Sequence, residues 1–156
     1  MRVYHTSTIV VECPDTTHSR SYLDFGQGFY LTTIYEQAVR YADRFKRRGQ
    51  AAWLNTYELS DNWNGWNVLH LDAYDKTWLD FVSVCRAGED KSEYDMVVGG
   101  IANDRVILTL DRYFAGEISQ GEALGLLKFE KPNVQYCIRS EKMLHECLTF
   151  VESTKL

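Results

Sequence analysis

The chain predicts an α+β fold in one domain, built on a mainly antiparallel β core with flanking helices. Three observations lead there. Short β-branched or alternating apolar stretches recur at residues 2–11, 29–31, 52–59, 68–71, 94–98 and 133–139. Segments with apolar residues at helical spacing lie between them. The 156 residues, 45% hydrophobic and 25% charged, suit one domain with its own core, and no repeat, low-complexity tract or linker divides them.

The elements follow in order. Arg2 to Val11 reads as a first strand, interrupted near Thr6-Ser7-Thr8. Cys13 to Ser19, with Pro14 and small polar residues, reads as a loop. Phe29 to Leu31 is a short second strand. Thr33 with Glu36 three residues later has the form of a capping box, and Ala38, Tyr41, Ala42 and Phe45 continue a helix that Gly49 stops. Ala52 to Leu59 alternates as a strand, Asp61 to Asn67 is a Trp/Asn/Gly turn, and Val68 to Leu71 is another strand. Lys76 to Arg86 predicts a helix with Trp78, Leu79, Val82 and Cys85 on one face. Tyr94 to Val98 is a strand ending at a Gly99-Gly100 turn. Arg105 to Phe114 and Ser119 to Phe129 read as helices, the second opened by a Ser119/Glu122 capping box. Asn133 to Arg139 is a strand, and the C-terminal remainder reads as a further one.

Composition excludes several classes. A net charge of −5 disfavours a broad phosphate-binding surface. Arg40, Arg44, Lys46, Arg47 and Arg48 nevertheless gather positive charge at one helix end, where they complement the helix dipole or meet an anionic partner. No apolar run approaches the ~20 residues of a membrane span. Met1 to His5 enters a strand without an apolar signal core, which predicts a cytoplasmic protein. Cys13, Cys85, Cys137 and Cys147 form no pair at zinc or redox spacing and read as reduced thiols. There is no phosphate-binding glycine signature of the Rossmann or P-loop kind.

The most informative stretch is Asp24-Phe25-Gly26-Gln27-Gly28-Phe29-Tyr30-Leu31-Thr32-Thr33. Gly26 and Gly28 permit a tight turn or a close approach, and an aromatic strand follows at once. Tyr4-His5-Thr6 precedes it, Tyr41 stands eleven residues after Tyr30, and Val134-Gln135-Tyr136 comes late. This order resembles the ADP-ribosyltransferase superfamily, in its diphtheria-toxin and poly(ADP-ribose)-polymerase branch. That branch carries a His, a Tyr and a Glu on three strands, with a G-[FIY]-Y-[FL] strand and a second Tyr eleven residues on. The chain also resembles an uncharacterised bacterial family with the hallmark Y-H-G-S…D-F-G-x-G-F-Y-x-T. Here Thr6 replaces the glycine.

The resemblance implies a split β core with an NAD cleft between its halves, NAD as co-substrate, and mono-ADP-ribosyl transfer to an unidentified macromolecular acceptor. It also implies a bacterial toxin or effector, with an antitoxin protein as a conceivable partner. It assigns His5 to the adenosine ribose, the Thr6 backbone to the nicotinamide amide, and Tyr30 and Tyr41 to the two faces of the nicotinamide ring. Gly28 belongs to the same binding motif, and Asp24 either bonds the glycine turn or reaches the ribose–diphosphate region. Cleavage of NAD moves positive charge onto the ribose, so gripping the leaving ring and stabilising that charge are the tasks set for the site. Gln135 stands where the glutamate would be and brings hydrogen bonds but no charge and no general base.

Each residue also has a structural reading. His5 could be a core imidazole, Tyr30 strand filler and Tyr41 a helix core residue. Asp95, Asn103 and Asp104 read as caps around the Gly99-Gly100 turn, or as carboxylates compensating for Gln135. Glu130 and Glu141 read as surface carboxylates. Two other functions fit the same residues: a catalytically weak or inactive NAD- or ADP-ribose-binding module, which Gln135 favours, and an RNA-directed enzyme, which the Arg40 to Arg48 cluster favours. An interaction protein using Trp63 and Trp66 is a third.

Overall fold

Two β-sheets meet along one seam in the computed structural model, which describes residues 1–156. The first sheet holds β1 (Arg2–Ser7), β3 (Trp53–Leu59) and β7 (Leu148–Lys155) in the order β1-β3-β7, all antiparallel. The second holds β2 (Phe29–Leu31), β6 (Asn133–Ile138), β5 (Met96–Ile101) and β4 (Val68–Leu71) in the order β2-β6-β5-β4. Only the β4–β5 pair is parallel. The seam is a single antiparallel bridge. Tyr4 donates to the Thr32 carbonyl at 2.8 Å and accepts from the Thr32 N–H at 3.0 Å.

Strand periodicity sorts the apolar residues into two cores. Phe29, Leu31, Val98 and Ile138 turn one way and join Val3, Tyr57, Leu59 and Met143, so this core lies between the sheets and under α6 (Glu141–Cys147). Val97 and Cys137 turn the other way and meet Phe25, Trp78, Leu79, Val82, Val106, Leu110 and Leu127. That second core is roofed by α3 (Lys76–Arg86), α4 (Asp104–Phe114) and α5 (Gln120–Leu127). Trp78, Leu79, Val82 and Cys85 are the buried face of α3, as their spacing predicts. The remaining helices, α1 (Tyr35–Tyr41) and α2 (Asp43–Lys46), follow β2 directly.

Four differences from the sequence expectation have physical causes. β1 ends at Ser7 because side chains take over the backbone beyond it: Asn55 accepts from the Val11 N–H and Tyr57 donates to the Val11 carbonyl. Gly99 and Gly100 lie inside β5 rather than in a turn. A Cβ there would stand 2.8 Å from the Leu71 Cβ or 2.7 Å from the Tyr74 ring, so the glycines serve close packing. The Thr33/Glu36 capping box does not form; Ile34 is the N-cap, and the Thr32 hydroxyl accepts from its N–H at 3.1 Å. The C-terminal remainder contains α6 before β7, with Ser140 capping Met143. The Ser119/Glu122 box forms as expected. No helix is long and apolar enough to cross a membrane.

Candidate functional site at the seam

The seam follows from strand parity. In an antiparallel ladder, alternate residues direct both backbone groups to the same neighbour. Tyr4 directs its own to Thr32, so Val3, His5 and Ser7 are the residues bonded to β3. Thr6, two residues on, therefore turns its N–H and C=O towards β2. The same parity turns the Tyr30 backbone towards β1, because Phe29 and Leu31 are the residues bonded to β6. Continuing the Tyr4–Thr32 register would set Thr6 opposite Tyr30, yet the ladder stops at one bridge. The two edges splay apart there. No second bridge pairs the Thr6 backbone with Tyr30, although Thr6 is only 7% exposed. Buried backbone groups are almost always paired, so a ladder that stops beside a buried strand edge marks a place where a ligand or water can complete it.

His5 holds the gap open. Its Nδ1 lies 2.9 Å from the Tyr30 carbonyl, which can only accept, so Nδ1 carries the proton and Nε2 keeps a free lone pair. Burial lowers the imidazole pKa below its ordinary 6.5, and the carbonyl bond offsets part of that shift. The ring lies 4.4 Å from Phe29, centroid to centroid. Thr6 turns its hydroxyl into α1, where it donates to the Ala38 carbonyl at 2.6 Å. That bond fixes α1, and with it Tyr41, beside β1.

Tyr30 is more committed than its sequence context suggests. Its hydroxyl donates to the Gly26 carbonyl at 2.6 Å and accepts from the Phe25 N–H at 3.1 Å. One ring face stacks on Phe25 at 6.3 Å. Burial raises the phenol pKa, so it stays protonated. Tyr41 is 45% exposed, with the Arg44 guanidinium 4.9 Å over its ring. Gln135 is half-buried on the same face of the second sheet as Tyr30 and Cys137, and its amide bonds no other protein group. It lies one step past the last β2–β6 rung, beside Thr32.

The structure thus brings Thr6, His5, Tyr30 and Gln135 to one seam. It does not bring their side chains onto one existing cavity: His5 follows Phe29 to one face of β2, and Tyr30 and Gln135 lie on the other. Asp24 bonds neither the glycine turn nor open space. Its carboxylate accepts from Arg86 Nε at 2.8 Å and from the Ala102 N–H at 2.8 Å, tying the loop to α3 and to the end of β5. Gly28 is required by contact, since a Cβ would stand 2.6 Å from Cys137 Sγ and 2.8 Å from the Ile138 carbonyl. Asn103 caps α4 and Asp95 accepts from the Asn67 N–H, so that cluster is structural. Glu130 pairs with Arg105 and Glu141 holds Thr16, which leaves Gln135 no substitute carboxylate from either.

Sequence reasoning missed Arg86, the partner of Asp24, and a polar recess of about 450 Å³ behind Gly26 and Gln27. Arg139, Asp90 and Ser92 bond one another along its wall. Neither this recess nor a second one beside Tyr74 is lined by His5, Tyr30, Tyr41 or Gln135. No short motif announces Arg86 or Arg139, because each pairs across more than forty residues of chain. The chain belongs to a family described as proteins of unknown function (DUF3990), whose model matches residues 1–150. No curated protein and no solved structure matches it.

Proposed function

We propose that this DUF3990 chain binds NAD at the seam between its two sheets and acts as a mono-ADP-ribosyltransferase with an ADP-ribosyltransferase-like split β core. The supporting observation is the ladder that stops after the Tyr4–Thr32 bridge, which leaves the Thr6 edge of β1 without a β2 rung. A carboxamide offers one acceptor and one donor in a plane, the complement of the Thr6 N–H and C=O. The open face of Tyr41 and the unstacked face of Tyr30 are then the surfaces for the flat cationic ring. The free Nε2 of His5 accepts a ribose hydroxyl. Gln135 has an unused amide for another. Because neither recess described above contains these groups, binding widens the splay.

In this reading the nicotinamide–ribose bond breaks with the electron pair leaving on nicotinamide. ADP-ribose then passes to a nucleophile on an unidentified macromolecular acceptor, whose proton goes to solvent or to a base the acceptor supplies. Gln135 orients the ribose but neither carries the charge nor removes the proton, so turnover is slow and chain elongation is not expected. A bacterial toxin or effector role, with an antitoxin partner, belongs to the same proposal.

The neutral Gln135, with Asp24, Glu130 and Glu141 all engaged elsewhere, favours a second reading: an NAD- or ADP-ribose-binding module without turnover. Calorimetry with NAD beside a nicotinamide-release assay separates the two. Binding with release supports transfer, binding without release selects the module, and no binding removes both.

A further inference from the structure

Helical spacing divides residues 35–48 into two stripes. Ala38 and Ala42 are buried and Phe45 half-buried, and at i, i+4 and i+7 they form the face turned to the protein. Arg40, Arg44, Arg47 and Arg48 fall at i, i+4, i+7 and i+8 on another face, with Lys46 beside them, and all five are exposed. None of them forms an ion pair, although Glu36 and Asp43 lie within the same stretch. The helix dipole accounts for cations in the last turn but not for the whole row, because its effect fades within that turn. Unpaired like charges one turn apart repel. In a chain of net charge −5, the row asks for an anionic partner.

A second observation narrows the partner. Tyr41 is 45% exposed beside this row, and the Arg44 guanidinium lies over its ring. An exposed aromatic ring among unpaired arginines matches the way proteins hold single strands, with backbone phosphates on the cations and a base on the ring. An acidic peptide would use the charges and gain little from the rings. A duplex keeps its bases stacked and unavailable.

We propose that the exposed face of α1 and α2 docks single-stranded nucleic acid, with phosphates on Arg40, Arg44, Arg47 and Arg48 and one base stacked on Tyr41. The inference stands without the NAD reading, since docking needs no NAD.

The test is fluorescence anisotropy without NAD, using a labelled mixed-sequence RNA strand of about a dozen nucleotides, a duplex of equal length and a glutamate-rich peptide. About four phosphate contacts predict a log–log salt slope near −3, or roughly a 60-fold loss of affinity between about 50 mM and 200 mM salt. The triple variant Arg44→Gln, Arg47→Gln, Arg48→Gln should lower the slope by about 2. Tyr41→Ala should weaken binding about tenfold and leave the slope unchanged. Circular dichroism verifies that both variants fold. No binding of the single strand at low salt, equal binding of the duplex, tighter binding of the peptide, or indifference to Tyr41→Ala would each overturn the proposal.

Discussion

Replacing Asp24 with alanine should destabilise the protein strongly, and the reason lies in its two hydrogen bonds and its ion pair. The carboxylate accepts from Arg86 Nε and from the Ala102 N–H, each at 2.8 Å, and Arg86 Nη2 lies 2.6 Å from it as an ion pair. The two side chains are only 12% and 24% exposed. Removing one partner from a fully buried pair costs about 3–5 kcal/mol. Partial exposure moves Asp24→Ala to about 3 kcal/mol and Arg86→Ala to about 2. The double variant should cost about 3–4 kcal/mol, a coupling of roughly 1.5 kcal/mol, because the second deletion removes a charge already stranded by the first. Urea unfolding followed by tryptophan fluorescence reads this directly. With a slope of about 2 kcal/mol per molar, Asp24→Ala should lower the midpoint by about 1.5 M. A loss below about 0.5 kcal/mol, or additivity of the two single variants within that amount, would refute the view that Asp24 is a clamp.

Other outcomes follow from the same geometry. Tyr30→Phe keeps the ring but strands the Gly26 carbonyl and the Phe25 N–H, and should cost about 1–3 kcal/mol in urea unfolding. Since the folded state lowers the His5 pKa, the unfolded chain binds more protons below about pH 6.5, so stability holds above that pH and falls as pH drops through it. His5→Gln should flatten this part of the stability–pH curve. Burial pushes the Cys85 and Cys137 thiols up to about 12, and Cys147 is 8% exposed, so a thiol reagent near pH 8 should label Cys13 in the folded protein and all four cysteines in denaturant.

Local signals made much of the fold readable. α3 and its buried face, the strands 29–31 and 68–71 and the Ser119 cap all depend on residues within a few positions of one another. The failures share a cause in tertiary packing. Gly99 and Gly100 look like a turn, but only Leu71 and Tyr74 across β5 explain them. Thr33 looks like a cap, but α1 starts at Ile34 with no side-chain cap, and the Thr32 hydroxyl, fixed by the seam bridge, accepts from the Ile34 N–H. α6 was open to a closer reading, since Ser140 precedes Met143, Leu144 and Cys147 at helical spacing. At the seam, sequence order singled out His5, Tyr30 and Gln135. It could not show that the Tyr30 hydroxyl closes the Gly26 turn or that Asp24 serves Arg86. Nor could it show that the Thr6 edge of β1 lacks a β2 rung, because parity at a splay depends on where a distant strand ends.

The Thr6 amide carries the central claim, and ¹⁵N-resolved NMR during an NAD titration watches that group alone. The account predicts that the Thr6 N–H resonance shifts in step with ligand saturation and gains protection from solvent exchange, with the Tyr30 and Tyr41 signals following the same curve. A Thr6 amide unmoved and still freely exchanging at saturating NAD would contradict it.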